Sequence, residues 1–204
     1  TFFGRMSIMI PTRTRKGKGY FKMEIQQAIE IRRSIRAYGD RPVEREKLEA
    51  VLRAGNQAPI FGRLHMSVFA GPEQLQAVDA AAVAGMARSG VPFLENLAAQ
   101  EGYHPLYGAA ALVVLSAPGG LDEKGFNMAN VSCAAENMLL AAAGLGLGSC
   151  FLMGPMAAFS DPALRARLEL PGGYEPLVGV ALGYAALERP VAPERTDAGI
   201  TWCR

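Results

Sequence analysis

The stretch "NMANVSCAAENMLLAAAGLGLGSC", Asn127–Cys150, decides how this chain is built. Asn127 to Ala143 reads as a helix, Gly144 ends it, and Gly148 to Met153 reads as a strand. A surface helix carries one apolar stripe. Here Met128, Ala129, Val131, Ala134, Ala135, Met138, Leu139, Leu140 and Ala142 cover most of the circumference. Such a helix is buried on more than one side. It is either the central helix of one domain or part of a subunit interface, where Ala and Ser let backbones approach closely. The helix alone leaves both open.

Working outward, the order of elements is α-α-β-α-α-β-α-β-α-β. The periodicity predicts helices over Met23–Arg33 and Glu44–Ala54, with Leu48, Val51 and Leu52 on one face of the second. "MSVFAG" is a short strand that His65 introduces. Pro72 opens an alanine-rich helix to about Arg88, and another runs from Val91 to Glu101. "GAAALVVLSA" (108–117) reads as a buried strand and "PLVGVALGY" (176–184) as the last one. Between them, "SDPALRARLEL" is a short helix with Ser160 as its cap. The result is an α+β class fold around one small sheet. The tail from Ala185 is proline-rich and extended.

The 204 residues are enough for one domain with a real core. The net charge of +2 gives no reason by itself to expect a nucleic-acid partner. Residues 1–22 hold six basic residues and no acidic one, leaving 15 basic against 19 acidic in the remainder. We take 1–22 as a basic N-terminal extension and 23–204 as the domain; a nucleic-acid or membrane arm is the alternative reading of the extension. Cys133, Cys150 and Cys203 lack metal-ligand spacing, which fits a reducing cytoplasm and no bound metal.

The chemistry concentrates in "EIRRSIRAYGDRPV", starting at Glu30. Cations near a helix C-terminus are favoured by the macrodipole, so the arginines could be a solvated end. Arginine clusters also match phosphate oxygens through paired forks. If the helix continued, Arg32 and Arg36 would share a face four residues apart. No other phosphate cradle competes: "GLGLGS" precedes a strand instead of opening a helix. HExxH and CxxC motifs are missing, and His65 and His104 have no partnering motif.

"IEIRRSIRAYGDRPVEREKLEAVLRAGNQAP", "YGAAALVVLSA", "NVSCAAENMLLAAAGLGLGSC" and "PLVGVALGY" occur in that order. As an ordered set covering about Met23 to Arg195, they resemble the FMN-dependent nitroreductase family, in a short-chain branch. The resemblance implies a mostly antiparallel central sheet flanked by helices. It also implies a homodimer holding FMN between its subunits, with the 127–143 helix, Ala135 included, in the seam. The implied activity is ping-pong, two-electron transfer from NAD(P)H to nitroaromatic, quinone or similar small acceptors. The flavin performs the hard chemistry, so no catalytic side chain is expected. The alternative is a flavin-binding protein without turnover, used for storage, sensing or regulation.

Residue by residue, the resemblance assigns Arg32 to the FMN phosphate, with Arg33 beside it. Ser34 and Arg36 reach toward the pyrimidine edge of the ring, and Arg195 returns to the phosphate. Met153 and Gly154 of "FLMGP" present backbone to flavin N5. Pro59, Ile60 and Phe61 of "APIFGR" belong to a loop that completes the partner's site. Phe61 is a candidate wall of the acceptor pocket. That loop is shorter than usual and lacks the usual polar side chains, so its contacts are expected through backbone and apolar surface. His104 and Tyr107 lie where family members shape the pocket.

Overall fold

The run Ala111–Pro118 is the strand around which the fold assembles. A computed structural model describes residues 23–119, 124–188, 190–191 and 199–203. The basic extension 1–22 and Arg195 lie outside the described residues. Ala111 to Ala117 are buried, as a run without polar alternation requires when both sheet faces are covered. We label this strand β2.

β2 pairs antiparallel with β1 (His65–Ala70) on one side and β4 (Tyr174–Gly183) on the other; β3 (Gly148–Leu152) pairs antiparallel with β4 at the far edge. The order is β1-β2-β4-β3. His65 does open its strand.

Alternation along β2 feeds two cores. Leu112 and Val114 face one layer with Phe69, Val78 and Phe159. That layer holds α3 (Pro72–Met86), a 3-10 helix (Gly154–Ser160) and α6 (Pro162–Ala166). Val113 and Leu115 face the other with Val51, Val131 and Met138. That layer holds α2 (Arg45–Gly55) and α5 (Lys124–Gly144). α1 (Ile25–Ile31) lies against α5, and α4 (Pro92–Ala98) against α3. Among the described residues, no helix is long and apolar enough to cross a membrane.

Two local readings change. The cap of the short helix is Asp161, whose Oδ1 accepts from Leu164 N at 3.0 Å. Ser160 instead ends the 3-10 helix and donates its hydroxyl to Ala157 O at 2.8 Å. Both residue types cap well, but Pro162 takes the first helical position, which leaves Asp161 the capping place.

The second change concerns α5. The chain's own sheet and α2 cover Val131, Ala134, Ala135, Met138 and Ala142 completely. At the contact with α2, a Cβ on Gly55 would stand 2.8 Å from Met138 Cγ, so only glycine admits this approach. Ala135 therefore belongs to the subunit's own core, not to a seam. What stays open on α5 is a narrow strip including Phe126, Ala129, Cys133 and Glu136.

Candidate functional site

α1 ends at Ile31, two residues before the sequence expectation, and Arg32 leaves the helix with ψ 125°. The chain then joins the free edge of β3. Ser34 forms a parallel bridge with Ser149, and Ile35 N donates to Ser149 O at 2.9 Å. Two glycines make this possible. A Cβ on Gly148 would meet Ile35 Cγ1 at 3.0 Å, and one on Gly183 would meet Tyr38 Cδ1 at 2.7 Å. Ile35 and Tyr38 thus pack inward as anchors, and Tyr38 also bridges to Ala185.

Arg32, Ser34 and Arg36 consequently share a side through the two-residue period of extended chain, not through helical spacing. Their convergence is felt at Cys150 on β3. Burial pushes the Cys150 thiol up, while the charge of Arg36, a hydrogen bond with Ser34 and the charge of Arg32 oppose that rise.

Arg32 Nε lies 3.1 Å from Glu136 Oε1 on α5. Arg33 Nη1 donates to Arg32 O at 2.6 Å, while Arg33 Nε is buried with no hydrogen-bond partner among the described residues. A buried donor without an acceptor is costly and calls for a missing partner. Among the described residues, Glu136 is the only carboxylate ion-paired with these three guanidiniums, while Asp40, Asp79 and Glu101 line the cleft near Arg36. A phosphate dianion fits such a guanidinium cluster.

Pro59, Ile60 and Phe61 lie elsewhere along α5. Phe61 N donates to Asn130 Oδ1 at 3.1 Å, and Asn130 Nδ2 donates to Phe61 O at 2.7 Å. One buried amide thus clamps the loop through its backbone. Asn130 and Glu136 are six residues apart, about 9 Å along the helix. α5 therefore positions both the loop and Arg32. Asn130 was not read from the sequence as functional; its signal was an amide set into an apolar helix. The Phe61 ring is 79% exposed and meets Phe126, itself open, edge to face at 5.7 Å.

Met153 and Gly154 follow the last residue of β3, Met153 with its side chain open and Gly154 starting the 3-10 helix. A Cβ on Gly154 would be an ordinary 3.5 Å from Met86 Sδ. Packing within this chain does not demand glycine there.

Arg36 also lines a cleft of about 1400 Å³ between the segment Arg36–Pro42, α3 and the turn before β2. Apolar walls come from Leu75, Val83 and Leu106, and polar groups from Gln76, Asp79, Tyr103, His104 and Tyr107. His104 and Tyr107 thus line a cavity. Burial, followed by a hydrogen bond with Tyr107, pushes the Tyr103 phenol up to about 12. Asp79 was missed because nothing local marks it. It lies on α3, 25 residues from His104.

A half-buried basic edge on an antiparallel sheet, with Arg36 exposed, stands beside a wide half-apolar cleft. The chain belongs to the nitroreductase family, whose model matches residues 29–184. A protein of Archaeoglobus fulgidus provisionally described as an NADH dehydrogenase/NAD(P)H nitroreductase is 32% identical over 171 residues, 81% of this chain and 88% of the relative. The crystal structure of a Bacteroides fragilis nitroreductase with bound FMN superposes with a TM-score of 0.77 at 29% identity, covering 89% of this chain and 100% of that one. A Desulfitobacterium hafniense nitroreductase shares the fold at TM-score 0.77 and 24% identity, over 88% of this chain and 98% of that one.

Proposed function

We propose that this chain is an FMN-dependent oxidoreductase. It takes electrons from NADH or NADPH and passes them in pairs to a small acceptor of the nitroaromatic or quinone type, by a ping-pong cycle. The observation that carries the reading is the edge of β3, where Arg32, paired with Glu136, gathers with Arg33, Ser34 and Arg36 beside the cleft. The Bacteroides fragilis relative with bound FMN supports the choice of cofactor.

FMN, when bound, supplies the hydride chemistry. The chain's own residues hold and orient it. Arg32, fixed by Glu136, takes the phosphate with Arg33 behind it. Ser34 and Arg36 meet the ring's pyrimidine edge, where a guanidinium favours negative charge by the logic of an oxyanion clamp. Met153 and Gly154 offer backbone at the end of β3. Arg195, outside the described residues, is assigned to the phosphate.

The active form in this reading is a homodimer, with Pro59, Ile60 and Phe61 of one subunit closing the site of the other. Open apolar groups support it: Ile25 and Ile29 on α1, 65% and 50% exposed, and the Phe61–Phe126 pair against α5. Isolated exposed apolar residues are ordinary, but a group of them along two packed helices and a loop marks an interaction surface.

The test is optical. NADH or NADPH added without oxygen bleaches the bound yellow flavin, and a nitroaromatic or quinone restores it. Bound flavin that neither nucleotide reduces would instead favour a flavin-binding protein without turnover.

A further inference from the structure

The turn before β2 carries a second constellation that the flavin-holding residues do not use. Asp79, on α3, has a mostly buried side chain, 15% exposed, and both its oxygens are engaged. Oδ1 accepts from Leu106 N at 2.8 Å, and Oδ2 stands 2.7 Å from His104 Nδ1. A carboxylate only accepts, so Nδ1 carries the proton in this pair and Nε2 is the imidazole's free working atom. The ring itself is 69% exposed and lines the same cleft as Arg36. The bond from Leu106 N alone would be a loop clamp. The second bond does more, since it sets the tautomer and direction of an open imidazole.

The surrounding turn is built with some strain. Tyr107 takes φ 55°, a left-handed conformation costly for a bulky residue. It places the Tyr107 ring edge to face with Tyr103 at 6.4 Å. Tyr103, Tyr107 and Glu101 on this turn, Asp79 on α3, and Arg36, Tyr38 and Asp40 after α1 are the titratable and charged groups that line the cleft with His104. A base or acid held by a buried carboxylate, in a cleft with room for a small molecule, is the recurring arrangement for proton transfer.

We propose that Asp79 and His104 form a proton-donating dyad for the acceptor, with His104 the donor and Asp79 its positioning residue. The inference rests on the oxidoreductase reading above. A bound reduced flavin would supply a hydride, and the acceptor taking it would need one proton. His104 Nε2–H gives that proton to the acceptor heteroatom that gains the electron pair. The imidazole is left neutral, with its proton on Nδ1 toward Asp79, and it regains the Nε2 proton from water.

Two measurements test this. The first needs no flavin. With only two histidines in the chain, His65 and His104, nitrogen-15 spectra resolve both rings. Neutral His104 is expected as the Nδ1–H tautomer. In Asp79→Asn it inverts to Nε2–H, because the amide still accepts from Leu106 N but now donates to Nδ1. The second follows acceptor reduction by the pre-reduced holoenzyme. His104→Gln should slow it roughly 10²-fold or more, with FMN affinity unchanged. A neutral Nε2–H tautomer in the unsubstituted protein would overturn the dyad. So would a His104→Gln protein that reduces acceptors at the unsubstituted rate over about pH 6–9. If the unsubstituted holoenzyme reduces no acceptor at all, the parent reading falls and takes this one with it. Normal turnover that is indifferent to His104 sinks the dyad alone.

Discussion

Arg32→Ala is expected to raise the dissociation constant for FMN roughly 10- to 150-fold. A charge-assisted hydrogen bond contributes about 1.5–3 kcal/mol, and each 1.4 kcal/mol is tenfold in affinity. In the proposed site the substitution removes one phosphate contact and leaves Glu136 without its ion pair. Arg32→Lys should lie between the two, because an ammonium keeps the charge but cannot make the paired fork. Quenching of flavin fluorescence on titration gives the constant directly. Unchanged binding in the alanine variant would remove Arg32 from the phosphate.

The second large effect is expected at Ala129, on the open strip of α5. Arginine there leaves the subunit's own core untouched, since the position is exposed within the chain. In a homodimer it sets a long, unpaired cation beside Phe61, Phe126 and the partner's surface. A buried charge without a partner costs several kcal/mol, enough to separate many dimers. Ala129→Arg should therefore elute as a smaller folded species and lose its flavin, because each subunit then lacks the other's Pro59–Phe61 loop. Size-exclusion chromatography read at protein and flavin wavelengths reports both. A yellow, stable monomer would contradict the shared site. Ala135→Arg is not an equivalent probe. Ala135 is fully buried in the chain's own core, so that substitution is expected to unfold the subunit.

The contrast between these two alanines shows what the sequence could and could not carry. The helix at Lys124–Gly144 and the strand at Ala111–Pro118 were legible because long apolar runs admit few other structures. Which side of an almost wholly apolar helix meets its own sheet was not legible, because alanine repeats carry too little amphipathic contrast to orient it. The members of the basic cluster were readable as a set, but their geometry was not. Helical spacing aligns Arg32 with Arg36, whereas the chain is pulled straight by its bridge to Ser149 and by Ile35 seated on Gly148. Those partners lie more than a hundred positions away.

Asn130 and Asp79 stayed hidden for the same reason. Asn130 gains its meaning from Phe61, 69 residues earlier, and Asp79 from a turn 25 residues later. Local periodicity holds no record of either. The glycines of "GLGLGS" failed the test for a phosphate loop, yet Gly148 proves to serve the phosphate-binding candidate indirectly, by seating Ile35 beneath it.

In the proposed site, Arg32 with Arg33 behind it holds the phosphate of a flavin whose ring meets Ser34 and Arg36 on the β3 edge. That arrangement is tested most directly by titrating the protein with FMN and with riboflavin, which carries the same ring without the phosphate. FMN is expected to bind at least tenfold tighter, with the preference shrinking as salt is raised and largely lost in Arg32→Ala. Equal affinities for the two flavins in the unsubstituted protein would contradict it.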